Sequence, residues 1–396
     1  MKIHSIWLLL GVLWLSACTS PDSPSPESNE YLVETTLVSD VDAATLRSSL
    51  NQALGPQGAA FTLLVRSGVK QLRLTYKTKD MEGKEVIASG ALVIPTGFSG
   101  VALPLASIQH GTLFDESDAP SYFKPGTEIT FGTLFAGAGF IIAMPDYLGY
   151  GASKNVPHPY EHRVGSADPN VDFLLAVEEY LSQEKINWNN RLMLGGYSQG
   201  GYVTLAMQKK LEETSNSPFR LVASSCGAGA YNKSLTVRRL VSEPSAGDIS
   251  HNRSYIWVLQ TYDRLYRLNR PLSAYFRSPF AEQIAQNGLR VELTGSFLTF
   301  LQPTLIQGIL SGSDTALLNA ISDNDLLNWA PKTPTRLYHG TADTYVPYYN
   351  SETTAEEMRR RGATQVQLIP ISGGDHASSI TTFLLGTYEM FSTYAN

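Results

Sequence analysis

Apolar and polar residues alternate from Gln71 to Lys77, the period of a strand with one buried face. A second strand follows over Val86 to Ile94, reached through a turn near Gly83. Beyond it the apolar positions come in short unbroken runs: Leu103 to Ile108, Gly139 to Met144, Arg191 to Gly195, Arg220 to Ser225, Thr335 to Tyr338 and Gln365 to Ile369. Such runs fit strands covered on both faces, as in a parallel sheet. Stretches with helical spacing separate them, chiefly Asp172 to Gln183, Gln199 to Leu211, Ser351 to Arg361 and Ala377 to Tyr394. The alternation predicts an α/β architecture, a twisted and mostly parallel sheet with helices on both faces. Residues 31 to 69 precede this pattern as an extension with one predicted helix, Ala43 to Leu54.

Residues 231 to 333 break the rhythm, because two neighbouring strands need only one helix between them. Apolar and aromatic residues recur there at helical spacing: Tyr255, Ile256, Leu259, Tyr262 and Leu265, then Phe297, Phe300, Leu301 and Leu305. Insertions at the carboxyl ends of strands sit where such sheets bind ligands. The segment therefore reads as a mostly helical cap, with Phe297 and Phe300 among the side chains walling a pocket. A small domain that merely packs nearby is the alternative. The sheet is then built from residues 31–230 and 334–396.

The N-terminus follows a different pattern. Lys2 supplies a positive charge, and Ile6 to Leu15 an apolar run too short to span a bilayer comfortably. It ends in Leu15-Ser16-Ala17-Cys18, which resembles the lipobox of bacterial lipoproteins. That resemblance implies a signal peptide over residues 1–17, lipid on Cys18 and attachment to the bacterial cell envelope. An ordinary secretory signal cut near Ala17 is the alternative, and both export the chain. Residues 18–30 are polar and rich in proline and serine, the composition of a disordered tether.

Of the 396 residues 43% are apolar and 17% charged, an ordinary globular balance. A net charge of −6 argues against nucleic-acid partners and against an electrostatic grip on anionic lipid, leaving the N-terminal lipid as the expected membrane contact. No metal-ligand cluster stands out. Of two cysteines, a lipidated Cys18 could not pair with Cys226, and Cys226 lies in an apolar run as a small core residue.

The candidate chemistry starts at Gly196-Tyr197-Ser198-Gln199-Gly200, between a predicted strand and a predicted helix. It fits G-x-S-x-G, a sharp turn that presents a nucleophilic serine. A serine hydroxyl needs a base, and His376, in the glycine-rich stretch Ser372-Gly373-Gly374-Asp375-His376, fits that role. Asp343, just past the strand that begins at Thr335, would orient the imidazole; Asp375 competes but is adjacent to His376 on the same backbone. Among the other histidines, His110 and His339 read as structural, and His158, His162 and His251 fall in loop or cap sequence. An oxyanion would take one hydrogen bond from the Gln199 N–H at the helix start. A second would come from the loop Gln109-His110-Gly111-Thr112, with Gly111, Thr112 or Leu113 as donor.

The order Ser198, Asp343, His376 resembles the triad of the α/β-hydrolase superfamily. The resemblance runs from about residue 70 to the C-terminus. Gln109-His110-Gly111-Thr112, Pro145-Asp146-Tyr147-Leu148-Gly149-Tyr150-Gly151 and Gly196-Tyr197-Ser198-Gln199-Gly200-Gly201 together look like the secretory lipase/esterase branch. This implies an α/β-hydrolase fold with a helical cap and Asp146 as a structural acid. It also implies cleavage of small-molecule or lipid carboxylic esters through an acyl-enzyme, with no cofactor and no metal. Two other readings remain open. A serine peptidase of the same fold would need an acidic anchor for the peptide amine, such as Glu243 or Asp263. A lipid-anchored binding protein would have kept the fold and lost catalysis. Oligomeric state leaves no trace in the sequence.

Overall fold

The structure is a computed structural model that describes residues 29–55, 59–98 and 100–395. The signal peptide, Cys18 and most of the tether lie outside the described residues.

Nine strands among the described residues form one sheet: β1 (Leu32–Val41), β2 (Val69–Lys79), β3 (Glu85–Pro95), β4 (Leu103–Gln109), β5 (Ile141–Pro145), β6 (Trp188–Tyr197), β7 (Arg220–Gly227), β8 (Thr335–Gly340) and β9 (Val366–Ile371). Their order is β1-β2-β3-β5-β4-β6-β7-β8-β9. The pairs β1–β2, β2–β3 and β3–β5 are antiparallel, and every pair beyond β5 is parallel. In chain order the helices are α1 (Ala43–Leu54), α2 (Ala59–Thr62), α3 (Ile129–Gly137), α4 (Arg163–Gln183), α5 (Gln199–Glu213), α6 (Lys233–Leu240), α7 (Ile249–Leu265), α8 (Leu272–Tyr275), α9 (Phe280–Asn287), α10 (Pro303–Ser311), α11 (Thr315–Ser322), α12 (Tyr349–Arg360) and α13 (Ile380–Tyr394).

The sheet is covered on both faces, which is why its parallel strands are apolar throughout. On one face Phe173, Leu174 and Val177 of α4 and Val203 and Met207 of α5 pack on Leu105, Leu192 and Leu194. On the other, Leu46 and Leu50 of α1, Leu134 and Phe135 of α3, and Met390 and Phe391 of α13 pack on Val93, Ala106 and Met193. The six helices α6–α11 lie between β7 and β8 in sequence and close around a cluster of their own that includes Ile256, Leu259, Phe297, Phe300, Leu305 and Leu317.

Three elements differ from expectation. Residues 31 to 69 hold β1 as well as the helix. Two register irregularities, between Leu32 and Glu34 and between Leu37 and Ser39, put Val33, Leu37 and Val38 outward and erase the alternation. Helix α4 starts at Arg163 rather than Asp172 and runs through Pro169, a residue that normally ends helical patterns. Helix α13 starts at Ile380 rather than Ala377, because the Asp375 carboxylate ties up the Ala377 and Ser378 N–H groups in a separate turn.

Candidate active site

The parallel strands end along one edge of the sheet, and that edge carries the chemistry. Ser198 follows β6 directly at φ 59° and ψ −123°, a left-handed conformation uncommon for a side-chain-bearing residue. Its N–H donates to the Gly227 carbonyl at 2.8 Å, locking the turn to β7. The flanking glycines are steric necessities. A Cβ on Gly196 would strike the Gly200 carbonyl, and one on Gly200 would strike the Gln109 carbonyl. The turn thus fits only with hydrogen at both positions, and it leaves Ser198 half-buried at the start of α5.

His376 comes from the loop after β9, and Asp343 from the loop after β8. His376 Nε2 lies 2.9 Å from Ser198 Oγ, and His376 Nδ1 lies 2.6 Å from Asp343 Oδ2. With the Nδ1 proton held by the carboxylate, Nε2 is free to accept the serine proton. Asp343 Oδ1 accepts the Tyr345 and Val346 N–H groups, each at 2.9 Å, which orients the carboxylate. Burial raises the Asp343 pKa, but hydrogen bonds from His339 and His376 outweigh it and hold the group at about 2. Asp375 is exposed and spends its carboxylate on Ala377 and Ser378. Asp146 is fully buried, accepting from Ser89 Oγ at 2.6 Å and the Ser121 N–H at 2.8 Å, which suits a structural acid. Cys226 is buried in the sheet, and burial pushes its thiol up to about 12, so it is no nucleophile.

The oxyanion loop departs in part from expectation. The Gly111 N–H donates to Glu128 Oε1 at 2.8 Å and is therefore not available to a substrate oxygen. Of the other two candidates, Thr112 lines the chamber that holds Ser198 and His376, its hydroxyl within 2.8 Å of the Tyr160 hydroxyl, whereas Leu113 lines a separate pocket, its carbonyl accepting the Tyr150 O–H at 2.7 Å. His110 braces the loop from behind. Its ring nitrogens contact the Gly111 and Asp146 carbonyls, and burial pulls its pKa down to about 4. Gln199 offers its N–H at the first turn of α5, where an intrahelical acceptor is missing.

Two neighbours have no signature in the sequence, and the partners of a third are set only by the fold. Glu128 is one. His158 is the second: Nδ1–H donates to the Leu148 carbonyl at 2.6 Å, which leaves Nε2 to accept from Gln199 Nε2 at 2.8 Å and fix that side chain. His339, expected to be structural, is the third. Nε2–H donates to the Val346 carbonyl at 2.6 Å with Asp343 Oδ2 3.5 Å away, and Nδ1 faces the Ser351 hydroxyl. No local pattern marks these roles, since each joins segments distant in sequence.

Two apolar chambers meet at Ser198. The first is a narrow bore of about 80 Å³ running under α6, α7 and α10, lined by Val237, Leu240, Tyr255, Leu259, Phe297 and Leu305. Phe297 reaches this bore. Phe300 does not: it packs behind, against Phe280 with ring centres 4.8 Å apart. The second chamber, about 280 Å³, lies on the His376 side and is lined by Gly111, Thr112, Glu128, Phe131, Phe383 and Leu384. Glu243 and Asp263 line neither chamber.

The bore also holds an ion pair between Lys233 and Glu161, both nearly inaccessible, with the ammonium 4.1 Å from the Tyr202 ring centre. Lys233 opens α6 and Glu161 precedes α4, so the pair ties the insertion to the sheet layer. Removing one partner strands a buried charge, a loss of about 3–5 kcal/mol, whereas removing both together costs much less. Urea unfolding of Lys233→Met, Glu161→Gln and the double variant should therefore show strong non-additivity. Additive losses would mean that the pair contributes no coupling.

A sheet of this order with a serine, histidine and aspartate aligned at its strand ends defines an α/β-hydrolase. More narrowly, the secretory lipase family model matches residues 126–383, and the chain belongs to that family. It is thus a hydrolase of the lipase/esterase kind, and the family's secretory character fits export. No curated protein matches the sequence. Solved structures share the fold. A Legionella pneumophila protein assigned to the hydrolases is 23% identical over 92% of this chain and 98% of its own, with a TM-score of 0.80. The rice cell wall degrading esterase LipA from Xanthomonas oryzae, in a ligand-bound form, is 23% identical over 93% of this chain and 100% of its own, with a TM-score of 0.76. Candida antarctica lipase A in its closed state is 13% identical over 91% of this chain and 83% of its own, with a TM-score of 0.61. No described helix is long and apolar enough to cross a membrane.

Proposed function

We propose that this chain is a serine esterase that cleaves carboxylic esters through an acyl-enzyme on Ser198. The observation that carries the reading is the hydrogen-bonded line from Ser198 through His376 to Asp343 at the junction of two apolar chambers. His376 Nε2 takes the hydroxyl proton as Ser198 attacks the ester carbonyl. The Gln199 and Thr112 N–H groups receive the oxyanion. Collapse expels the alcohol, which leaves with the proton from His376, and water then repeats the sequence on the acyl-enzyme. Exit past His376 puts the alcohol in the wider chamber and the acyl chain in the bore. Before any of this, the exported chain is anchored to the cell envelope by lipid on Cys18. A peptidase reading finds little support, because Glu243 and Asp263 lie outside both chambers.

The test is a hydrolysis profile over p-nitrophenyl esters of increasing acyl length, with an aminoacyl anilide alongside. Ester turnover should far exceed anilide turnover. A bore of fixed depth gains about 0.8 kcal/mol, roughly fourfold in selectivity, for each methylene buried up to that depth. Phe297→Ala removes bore wall and should move the preferred chain length upward, while Phe300→Ala, one layer behind, should leave it in place. An unchanged profile in the Phe297 variant would remove the bore as the acyl site. Faster cleavage of the anilide than of the esters would favour the peptidase.

A further inference from the structure

Among the described residues, Glu128 is the one carboxyl on the wall of the chamber that holds Ser198, Thr112 and His376 together. It lies at the start of α3, outside every motif of the site. Its Oε1 accepts the Gly111 N–H at 2.8 Å. The approach is close on all sides: a Cβ on Gly111 would lie 3.0 Å from Glu128 Oε1 and 3.7 Å from Ser198 Cβ. The rest of the loop is already fixed. His110 holds the Gly111 carbonyl, the Tyr147 O–H donates to the His110 carbonyl at 2.9 Å, and Tyr160 meets the Thr112 hydroxyl. Glu128 thus adds a restraint on the loop from the chamber that Ser198 shares.

We propose that Glu128 is a positioning residue for the oxyanion site: its carboxyl engages the Gly111 amide, leaves the Thr112 N–H as the second donor, and supports turnover only while uncharged. The proposal rests on reading Ser198 as the nucleophile. The charge requirement follows from electrostatics. An oxyanion developing on Ser198 and a carboxylate on the same apolar wall repel each other with little screening. No described Lys or Arg forms an ion pair with Glu128 to offset this. The neutral acid still accepts the Gly111 N–H through its carbonyl oxygen.

The surroundings set where the switch falls. Burial pushes Glu128 up to about 7, with the Gly111 N–H pulling the other way. The titratable groups facing the chamber are His376 beyond the β9 end, Tyr197 before the serine, and Tyr345 after β8. Behind the loop stand His110, kept neutral by burial, and Tyr147, whose phenol burial drives far up with Glu128 adding to it. Asp343 lies behind the His376 ring, and Lys124, on the preceding turn, is paired with Asp118 at 2.5 Å. Because the folded carboxyl is neutral below its pKa and charged above, the predicted loss of rate lies on the alkaline side.

The experiment measures kcat and KM for a p-nitrophenyl ester against pH in wild type, Glu128→Gln and Glu128→Ala, over the range where circular dichroism is constant. Active sites are counted with a fluorophosphonate. Wild-type kcat should fall about tenfold or more as pH rises through the Glu128 ionisation near 7. Gln keeps the acceptor and cannot ionise, so that variant should hold its kcat across the same range. Ala lacks the acceptor and should lose about tenfold or more in kcat at every pH, with KM within about twofold. An alkaline limb in the Gln variant equal to that of wild type would overturn the charge requirement. Wild-type kcat in the Ala variant would overturn the positioning role, and should that variant fail to fold, the isosteric Gln variant decides alone. Absence of fluorophosphonate labelling in the wild type would instead count against Ser198 itself, so the two failures are distinguishable.

Discussion

Ser198→Ala should lose ester hydrolysis by about 10⁴-fold or more while the protein folds as before. Both halves of that expectation come from the turn. The strained backbone at Ser198 is imposed by the contacts of Gly196 and Gly200 with Gln109 and by the Ser198 N–H bond to Gly227, none of which involves the hydroxyl. Among the described residues, Ser198 Oγ is hydrogen-bonded to His376 Nε2 alone, at 2.9 Å. Deleting the oxygen therefore removes the attacking atom and leaves packing nearly untouched. Gln199 and Thr112 would still polarise a bound carbonyl, so a small rate above the uncatalysed reaction should persist. The measurement is kcat/KM on a short-chain p-nitrophenyl ester, paired with fluorophosphonate labelling and a thermal melt. An alanine variant that keeps more than about a tenth of the wild-type rate would transfer the nucleophile to another group. One that melts far below wild type would show that the hydroxyl serves the fold.

What could be read from the sequence follows from how local each feature is. The serine turn was legible because its requirements fit within five consecutive residues: a strand, two glycines without room for a side chain, and a helix start. Asp343 and His376 were legible because each follows an apolar run in an order that few arrangements share. The parallel strands were legible because burial on both faces writes itself as unbroken apolar runs. β1 was not, since its two irregularities shift the phase of the pattern and turn Val33, Leu37 and Val38 to solvent. Gly111, Thr112 and Leu113 are equivalent as donors in the sequence; only the structure shows that Glu128, from a separate helix, takes the Gly111 N–H and that Thr112, not Leu113, lines the serine's chamber. Phe297 and Phe300 share a short stretch and a spacing, and both are buried; only the packing of the six-helix insertion shows which one faces the bore. His158 and His339 are placed by bonds to Gln199 and Val346, and such choices belong to the tertiary structure.

Asp343→Asn should cost about 10⁴-fold in kcat, and Asp375→Asn less than about threefold. The size of the first effect follows from which atom of the new amide would face the histidine. Asp343 Oδ1 receives two backbone N–H groups, from Tyr345 and Val346, so in the variant the amide oxygen is drawn to that side. The amide NH₂ then points where Oδ2 stood, at His376 Nδ1. A donor there forces Nδ1 to accept and moves the ring proton to Nε2, the nitrogen that must take the proton from Ser198. The histidine stays in place in the wrong tautomer, and the charge that would stabilise its imidazolium is gone. The wild-type carboxylate remains ionised down to a pH of about 2, so nothing comparable happens to it at ordinary pH. At Asp375 the chemistry is different. One oxygen receives the Ala377 and Ser378 N–H groups at 3.0 and 2.8 Å, and an asparagine oxygen can receive them equally. The loop that carries His376 should keep its shape. The comparison is kcat/KM of both variants on one ester, with labelling to confirm that Ser198 is intact. A larger loss at Asp375 than at Asp343 would reverse the assignment of the acid and with it the reading of the loops after β8 and β9.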